Sequence, residues 1–268
     1  MNTTIQWTRL PFKFDVARLK QDSEKIEPSE WVSHFNQGDY SGNWSGVALR
    51  SPSGSASDIY PKGGDIDYRD AELLERCPYF CEVLQNFPFP LKAVRLLRLQ
   101  AGSRIREHKD PDLRFEEGEL RIHIPIETNA KVEFIVAGRR LILEEGTCWY
   151  IDFSQPHRIH NRGETNRTHL VIDGLVNDWI KEIVLNAAAQ SCNTTSLDEP
   201  VHAFHEFRKR VFVDENLQTL LLAEAGNKEF FLRTVELGKT LGYDFDIEDV
   251  DASYRDARRL WMEKRTTA

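Results

Sequence analysis

The sequence predicts a mainly β protein: a double-stranded β-helix, or jelly roll, with flanking helices and a small α-helical domain at the C-terminal end. Three observations predict it. From Ala93 to Asp173 the chain breaks into eight short segments, AVRLLRL, SRIREH, LRIHIPI, KVEFIV, RRLILEE, TCWYIDF, HRIHN and RTHLVID, separated by Gly, Pro, Asn or charged turns. Eight short strands at this spacing suit a closed architecture, which leaves few long edges exposed. From Asn177 onward strand patterning gives way to helix-period patterning, in WIKEIVLNAAAQ, HAFHEFRKRVF and ENLQTLLLAEA. Ser191 to Pro200, SCNTTSLDEP, is polar and closes on proline, so a linker is expected there. The division expected is a first domain over 1–180 with its β core at about 93–175, a helix end and linker over 181–200, and a helical domain over 201–268.

The first ninety residues mix short strand-like and helical pieces. Ser51 to Gly64, SPSGSASDIYPKGG, holds too many Gly, Ser and Pro residues to continue a regular element and reads as a loop or flap. Asp70 to Phe87 has apolar residues at helical spacing and is followed by Pro88 and Pro90, so one helix ending there is expected.

Lys and Arg number 35 against 43 Asp and Glu, a net charge of −8. That balance provides no electrostatic footprint for nucleic acid or an anionic membrane, and favours a small-molecule or polypeptide substrate. MNTTIQWTRLPFKFD lacks a basic-then-apolar signal region and no apolar run is long enough to span a bilayer, so a cytoplasmic location is expected. Four cysteines are too few for a disulfide scaffold. Cys77 and Cys81, one helical turn apart, read as buried thiols or as half of a metal site whose other half is not evident. No pattern indicates an oligomeric state.

His108 and Asp110 stand two apart, and on an extended strand residues i and i+2 point to one side. A third ligand must come from elsewhere, and His157, just past the TCWYIDF segment, is the candidate a barrel mouth would bring close. Two histidines and one carboxylate leave open positions on an octahedral metal, the arrangement by which Fe(II) takes a bidentate ligand and O2. A lone HxD also occurs by chance in surface loops. Arg167 opens the RTHLVID segment, and its planar fork suits a carboxylate such as the distal one of 2-oxoglutarate; the plain alternative is a surface arginine at a strand end. Arg121 and His123 alternate with Ile122 and Ile124, so they share one face. Pointed into a barrel, the pair calls for an anionic partner; pointed outward, it is a solvated sheet face. His160 and His169 read as packing residues or as supports for the ligands.

Taken together, VRLLRLQAGSRIREHKD, ELRIHIPIETN, GTCWYIDFSQPHRIHNRG and RTHLVID resemble the aspartyl/asparaginyl β-hydroxylase family, above all its bacterial free L-proline cis-hydroxylases, over roughly residues 93–175. The resemblance implies a cupin-like jelly roll and an Fe(II)- and 2-oxoglutarate-dependent dioxygenase that uses O2 to hydroxylate an amino acid at an unactivated carbon, releasing succinate and CO2. It implies that His108, Asp110 and His157 hold the iron, that Arg167 anchors 2-oxoglutarate, and that Arg121 and His123 also contact this co-substrate. Family members acting on secreted-pathway protein domains carry glycine where this chain has Asp110, which places the chain in the branch with all three ligands and argues against a halogenase. Trp44, Arg50, Arg95 and Arg98 are candidates for touching substrate and equally for structural roles.

The segment HAFHEFRKRVFVDENLQTLLLAEAGNKEFFLRTVELGKTLGYDFDIEDVDA resembles the nitrogen-fixation-type helical leader domain of ribosomally made peptide natural products. His202 and His205 within it lie at i, i+3 on an ordinary amphipathic helix, so no ligand set is expected there. Three functions follow: hydroxylation of a free amino acid, which leads; hydroxylation of a ribosomal-peptide or carrier-bound residue; and a non-catalytic metal-binding recognition module, against which three ligands plus an anion anchor speak.

Overall fold

The computed structural model describes residues 5–34, 38–62, 66–110, 113, 115–191, 203–222, 226–243, 245–247, 249–251 and 253–254. Thirteen strands follow one another in this described part: β1 Trp7–Lys13, β2 Val32–Ser33, β3 Tyr40–Ser41, β4 Trp44–Ser51, β5 Arg69–Asp70, β6 Leu91–Leu99, β7 Arg104–His108, β8 Glu119–Glu127, β9 Val132–Val136, β10 Arg139–Leu141, β11 Thr147–Ile151, β12 His157–Asn161 and β13 Arg167–Leu175. The helices are α1 Val16–Glu24, α2 Pro78–Leu84, α3 Asp178–Ser191, α4 Ala203–Val213, α5 Glu215–Leu222 and α6 Asn227–Thr240.

The strands form two antiparallel sheets, as a jelly roll requires. The larger runs β1-β11-β8-β13-β6-β4-β2, with β5 on β4, and the smaller runs β10-β9-β12-β7-β3. Their neighbours in space are rarely neighbours in sequence, so the register is set by which faces are apolar. On β8, Leu120, Ile122, Ile124 and Ile126 enter a core shared with Leu96 of β6 and Leu170 and Ile172 of β13, against α1, α2 and α3. A second apolar cluster, including Ile105, Phe134, Ile151, Phe153 and Ile159, lies on the smaller sheet's side. All eight expected strands between 93 and 175 are present as β6 to β13. The larger sheet also recruits β1, β2, β4 and β5 from the first seventy residues.

The helix expected over Asp70–Phe87 is two pieces. A 3-10 turn covers Glu72–Arg76 and α2 starts only at Pro78. A proline disfavours helical backbone in the residue before it, and Cys77 sits at φ −119°, ψ 67°. The exposed N–H groups of α2 are met from α1: buried Asp22 accepts from the amides of Tyr79 at 2.7 Å and Phe80 at 3.1 Å. The thiols of buried Cys77 and half-buried Cys81 donate to the carbonyls of Asp22 and Leu74. Residues 52–62 of the expected flap carry no regular element.

By contact the chain divides into Met1–Ala137 with Leu141–Leu197, and Asp198–Ala268 with Gly138–Arg140. The C-terminal unit has its own core of Phe204, Phe207, Leu221, Phe245 and Val250. Asp214 caps α5 by accepting from the amides of Asn216 and Leu217. α6 ends in a Schellman turn: Gly242 takes φ +86° and the Tyr243 amide reaches the Gly238 carbonyl at 2.9 Å. A Cβ on Gly238 would lie 2.2 Å from the Phe245 ring, so glycine lets that ring seat against the helix. The linker expected up to Pro200 lies, from residue 192, outside the described residues, as does His202. None of the described helices is long and apolar enough to cross a membrane.

Candidate active site

β7 and β12 are antiparallel neighbours in the smaller sheet, and their pairing sets His108 directly opposite His157. Their ring centroids are 4.2 Å apart. His108 Nδ1 lies 2.8 Å from the Arg106 carbonyl and His157 Nδ1 lies 3.0 Å from the Gln155 carbonyl. A carbonyl only accepts, so each Nδ1 carries a hydrogen, which leaves Nε2 as the nitrogen each ring can offer to a metal. Asp110 follows two residues past the end of β7, its amide tied to the Phe153 carbonyl at 2.9 Å. One donor atom from each of His108, Asp110 and His157 lies within 4.8 Å of the others. The common side of these three thus comes from strand pairing plus a tethered turn, where the i, i+2 argument assumed continued strand.

Burial disfavours ionised Asp110, yet the Arg121 guanidinium, which faces it and donates to it, outweighs that cost and holds the carboxyl below its usual range. Burial, reinforced by His108, brings His157 down to about 4, which keeps its imidazole neutral. A carboxylate and two imidazoles whose donor atoms converge are the donor chemistry of a divalent first-row metal.

These residues open on a cavity of about 630 Å³ whose wall also includes Arg121, His123 and Arg167, a volume in the range of small-ligand sites. Arg121 and His123 face inward, 8% and 3% exposed, while Ile122 and Ile124 face the core. Arg121 finds anionic partners within the chain, Asp173 and Asp110. Arg167 does not. It is 1% exposed, its Nη2 lies 3.1 Å from His169 Nδ1, its Cζ is 5.1 Å from the Phe134 ring centre, and its Nε has no hydrogen-bond partner. Burial alone lowers Arg167 to about 9, with no carboxylate compensating. His169 Nδ1 must accept from Arg167, so the His123 Nδ1 that approaches it at 3.1 Å is the donor there. His123 Nε2 is then a buried acceptor without a partner among the described residues.

Of the other candidates, Trp44 and Arg95 line the cavity. Arg50 pairs with Asp70, and Arg98 lies over the Trp31 ring, 3.6 Å from its centre. Residues the sequence reading missed also line it, including His34, Asp39, Tyr60 and Lys62. His34 stacks on Trp44 with centroids 3.6 Å apart. No local pattern marks these residues, because His34 and Asp39 flank β2 and β3, which pair with β4 and β7, while Tyr60 and Lys62 lie in the loop after β4.

The fold and site together define a jelly-roll protein with a metal-capable His-Asp-His cluster beside a buried cation. The model of the aspartyl/asparaginyl beta-hydroxylase family matches residues 12–176, and the chain belongs to that family. It is 27% identical over 165 residues to L-proline cis-4-hydroxylase of Rhizobium meliloti (strain 1021), a match covering 60% of this chain and 58% of that protein. The chain thus spans little more than half the length of this curated relative. Among solved structures it is similar to an oxidoreductase of the 2OG-Fe(II) oxygenase family from Burkholderia pseudomallei, at 15% identity and a TM-score of 0.44, covering 63% of this chain and 86% of that one. It is also similar to a cupin-like protein from Thermotoga maritima, at 16% identity and a TM-score of 0.32, covering 60% and 97%.

Proposed function

We propose that this chain is an Fe(II)- and 2-oxoglutarate-dependent dioxygenase that hydroxylates an amino acid at an unactivated carbon, with release of succinate and CO2. The observation that carries the reading is that one cavity holds both the His108, Asp110, His157 cluster and buried Arg167, which pairs with no carboxylate among the described residues. A buried cation left without an anion is costly, so the site fits an anionic ligand.

In this reading His108 and His157 offer Nε2 and Asp110 offers one oxygen to Fe(II), and each Nδ1 hydrogen bond fixes a ring for that task. Fe(II) with 2-oxoglutarate and O2 supplies the oxidising power for the hydroxylation. Arg167 pairs with the distal carboxylate of 2-oxoglutarate, His169 holds the Arg167 fork in place, and Arg121 and His123 flank the same ligand. The apolar walls from Phe153, Leu97 and Ile159 exclude water around it. The family match and the proline hydroxylase relative support a small amino acid as substrate. A peptide-borne residue is the second reading, favoured by the separate C-terminal unit with its own aromatic core. Free thiols at Cys77, Cys81 and Cys148 support a cytoplasmic setting.

The test is succinate release by purified protein with Fe(II), ascorbate and 2-oxoglutarate, screened against free amino acids and short peptides. Substrate-dependent succinate with a product heavier by one oxygen is expected. Absence of succinate above the enzyme-free control across the whole panel would reject the reading.

A further inference from the structure

We propose that Asp173 is a positioning residue for the metal cluster: acting through Arg121, it sets which oxygen of Asp110 faces the histidines. The proposal rests on the metal-dependent reading above. Asp173 lies in β13, 1% exposed, directly opposite Arg121 of β8. Its Oδ1 accepts from Arg121 Nε at 2.6 Å and its Oδ2 accepts from Arg121 Nη2 at 3.0 Å. This two-point grip along one edge of the guanidinium fixes the plane of the group. The remaining nitrogen, Nη1, is thereby aimed at Asp110 and donates to its Oδ2 at 2.6 Å. The other Asp110 oxygen, Oδ1, is the one 3.8 Å from His108 Nε2.

Asp173 is in turn held from its far side. Arg95 of β6 donates through Nη2 to Asp173 Oδ2 at 2.6 Å and through Nη1 to the Ile59 carbonyl at 3.0 Å. Arg95 pairs with Val171, two residues before Asp173 on β13, so the contact is the diagonal one a sheet face provides. The row Arg95, Asp173, Arg121, Asp110 alternates in charge and crosses three adjacent strands before it reaches the cluster.

The consequence concerns geometry. With Asp173 gripping the Nε and Nη2 edge, Arg121 meets Asp110 through Nη1 alone and at one oxygen, Oδ2, so Asp110 keeps Oδ1 free for the cluster. With that charge removed, Asp110 is the carboxylate left to Arg121, and the guanidinium can turn its paired N–H groups on both oxygens. Asp110 would then be drawn off the cluster although no ligand had been altered. Loss of such a supporting partner costs roughly ten- to a hundredfold in metal affinity.

The test uses the full chain, stripped of metal and titrated with Co(II) alone, whose d–d absorption reports the ligand arrangement. Asp173→Asn is expected to bind Co(II) about tenfold or more weakly, with an altered d–d spectrum and an unchanged far-ultraviolet dichroism. Arg121→Lys should show a similar loss, and adding Asp173→Asn to it should weaken binding by no more than about twofold, because the effect travels through Arg121. Wild-type affinity and spectrum in Asp173→Asn would overturn the proposal, as would a full tenfold loss on adding it to Arg121→Lys. If Asp173→Asn does not fold, Asp173→Glu carries the test, since it keeps the charge but displaces Arg121 by a methylene; Co(II) affinity must then fall, and wild-type affinity overturns the idea. A wild-type chain that takes up no Co(II) rejects the metal-dependent reading itself, whereas wild-type uptake with an unaltered Asp173→Asn removes only the role of Asp173.

Discussion

His108 and His157 face each other across the β7–β12 ladder, each with its Nδ1 spent on the carbonyl two residues before it. Two imidazoles locked in this way point their free nitrogens into one cavity without help from a bound ion.

His108→Ala or His157→Ala should therefore abolish metal binding while the barrel stays folded. Losing a direct ligand should cost more than the roughly hundredfold upper figure for supporting partners. Equilibrium titration with Mn(II) or Co(II), beside a thermal melt, checks both halves. Either variant binding metal like the wild type would remove that residue from the cluster.

Arg167→Met should separate stability from ligand binding. A buried arginine with no carboxylate among the described residues is a burden on the ligand-free fold, and apolar replacement of buried ionic groups is often neutral or stabilising by about 1–4 kcal/mol. The melting temperature of the ligand-free variant should equal or exceed that of the wild type, while 2-oxoglutarate no longer raises it. A variant that melts lower yet still gains stability from 2-oxoglutarate would contradict both expectations.

Buried His123 and His169 and half-buried His34 set a pH dependence. Burial, with Arg167 next, keeps His123 and His169 well below the ordinary 6.5, and burial with Arg95 brings His34 to about 4. Unfolded, each takes up a proton near 6.5, so between that pH and about 4 the unfolded chain binds more protons than the folded one. Stability from this source is complete above 6.5 and falls as the pH drops. The metal-free protein should melt lower at about pH 5 than at about pH 7.5, and His34→Phe, which keeps the stack on Trp44, should flatten the slope. A midpoint that is constant or rises toward pH 5 would show that these rings are not buried neutral.

Shortening the chain to residues 1–197 should leave metal and 2-oxoglutarate binding nearly intact, because every residue of the cavity wall lies within the first unit. Calorimetry for 2-oxoglutarate and product analysis would compare the two lengths. If the helical unit captures substrate, hydroxylation falls sharply while 2-oxoglutarate decarboxylation without product persists. Lost 2-oxoglutarate binding would place the C-terminal unit in the catalytic fold.

Legibility in the sequence followed the range of the forces involved. β8 and β13 could be read because alternation and turn residues are local signals, and the shared face of Arg121 and His123 followed from Ile122 and Ile124, although which way that face points did not. β4 was illegible as a strand type, since WSGVALRS is buried at nearly every position and shows no alternation. Pro78 splits the helix expected over Asp70–Phe87, a local cue outweighed there by helical spacing. The contacts of Asp173 depend on β13 lying between β8 and β6, an order no local pattern encodes. His34 and Tyr60 enter the cavity for the same reason, by pairing and loop closure across long stretches of chain.

The central claim is that the His-Asp-His cluster and Arg167 serve one ligand. It is tested most directly by calorimetric titration of 2-oxoglutarate into the metal-free chain, the Mn(II)-loaded chain and Mn(II)-loaded Arg167→Met. The account expects tight binding only to the loaded wild type, at least about tenfold tighter than to either of the others. Equal affinity with and without metal, or undiminished affinity in Arg167→Met, would contradict it.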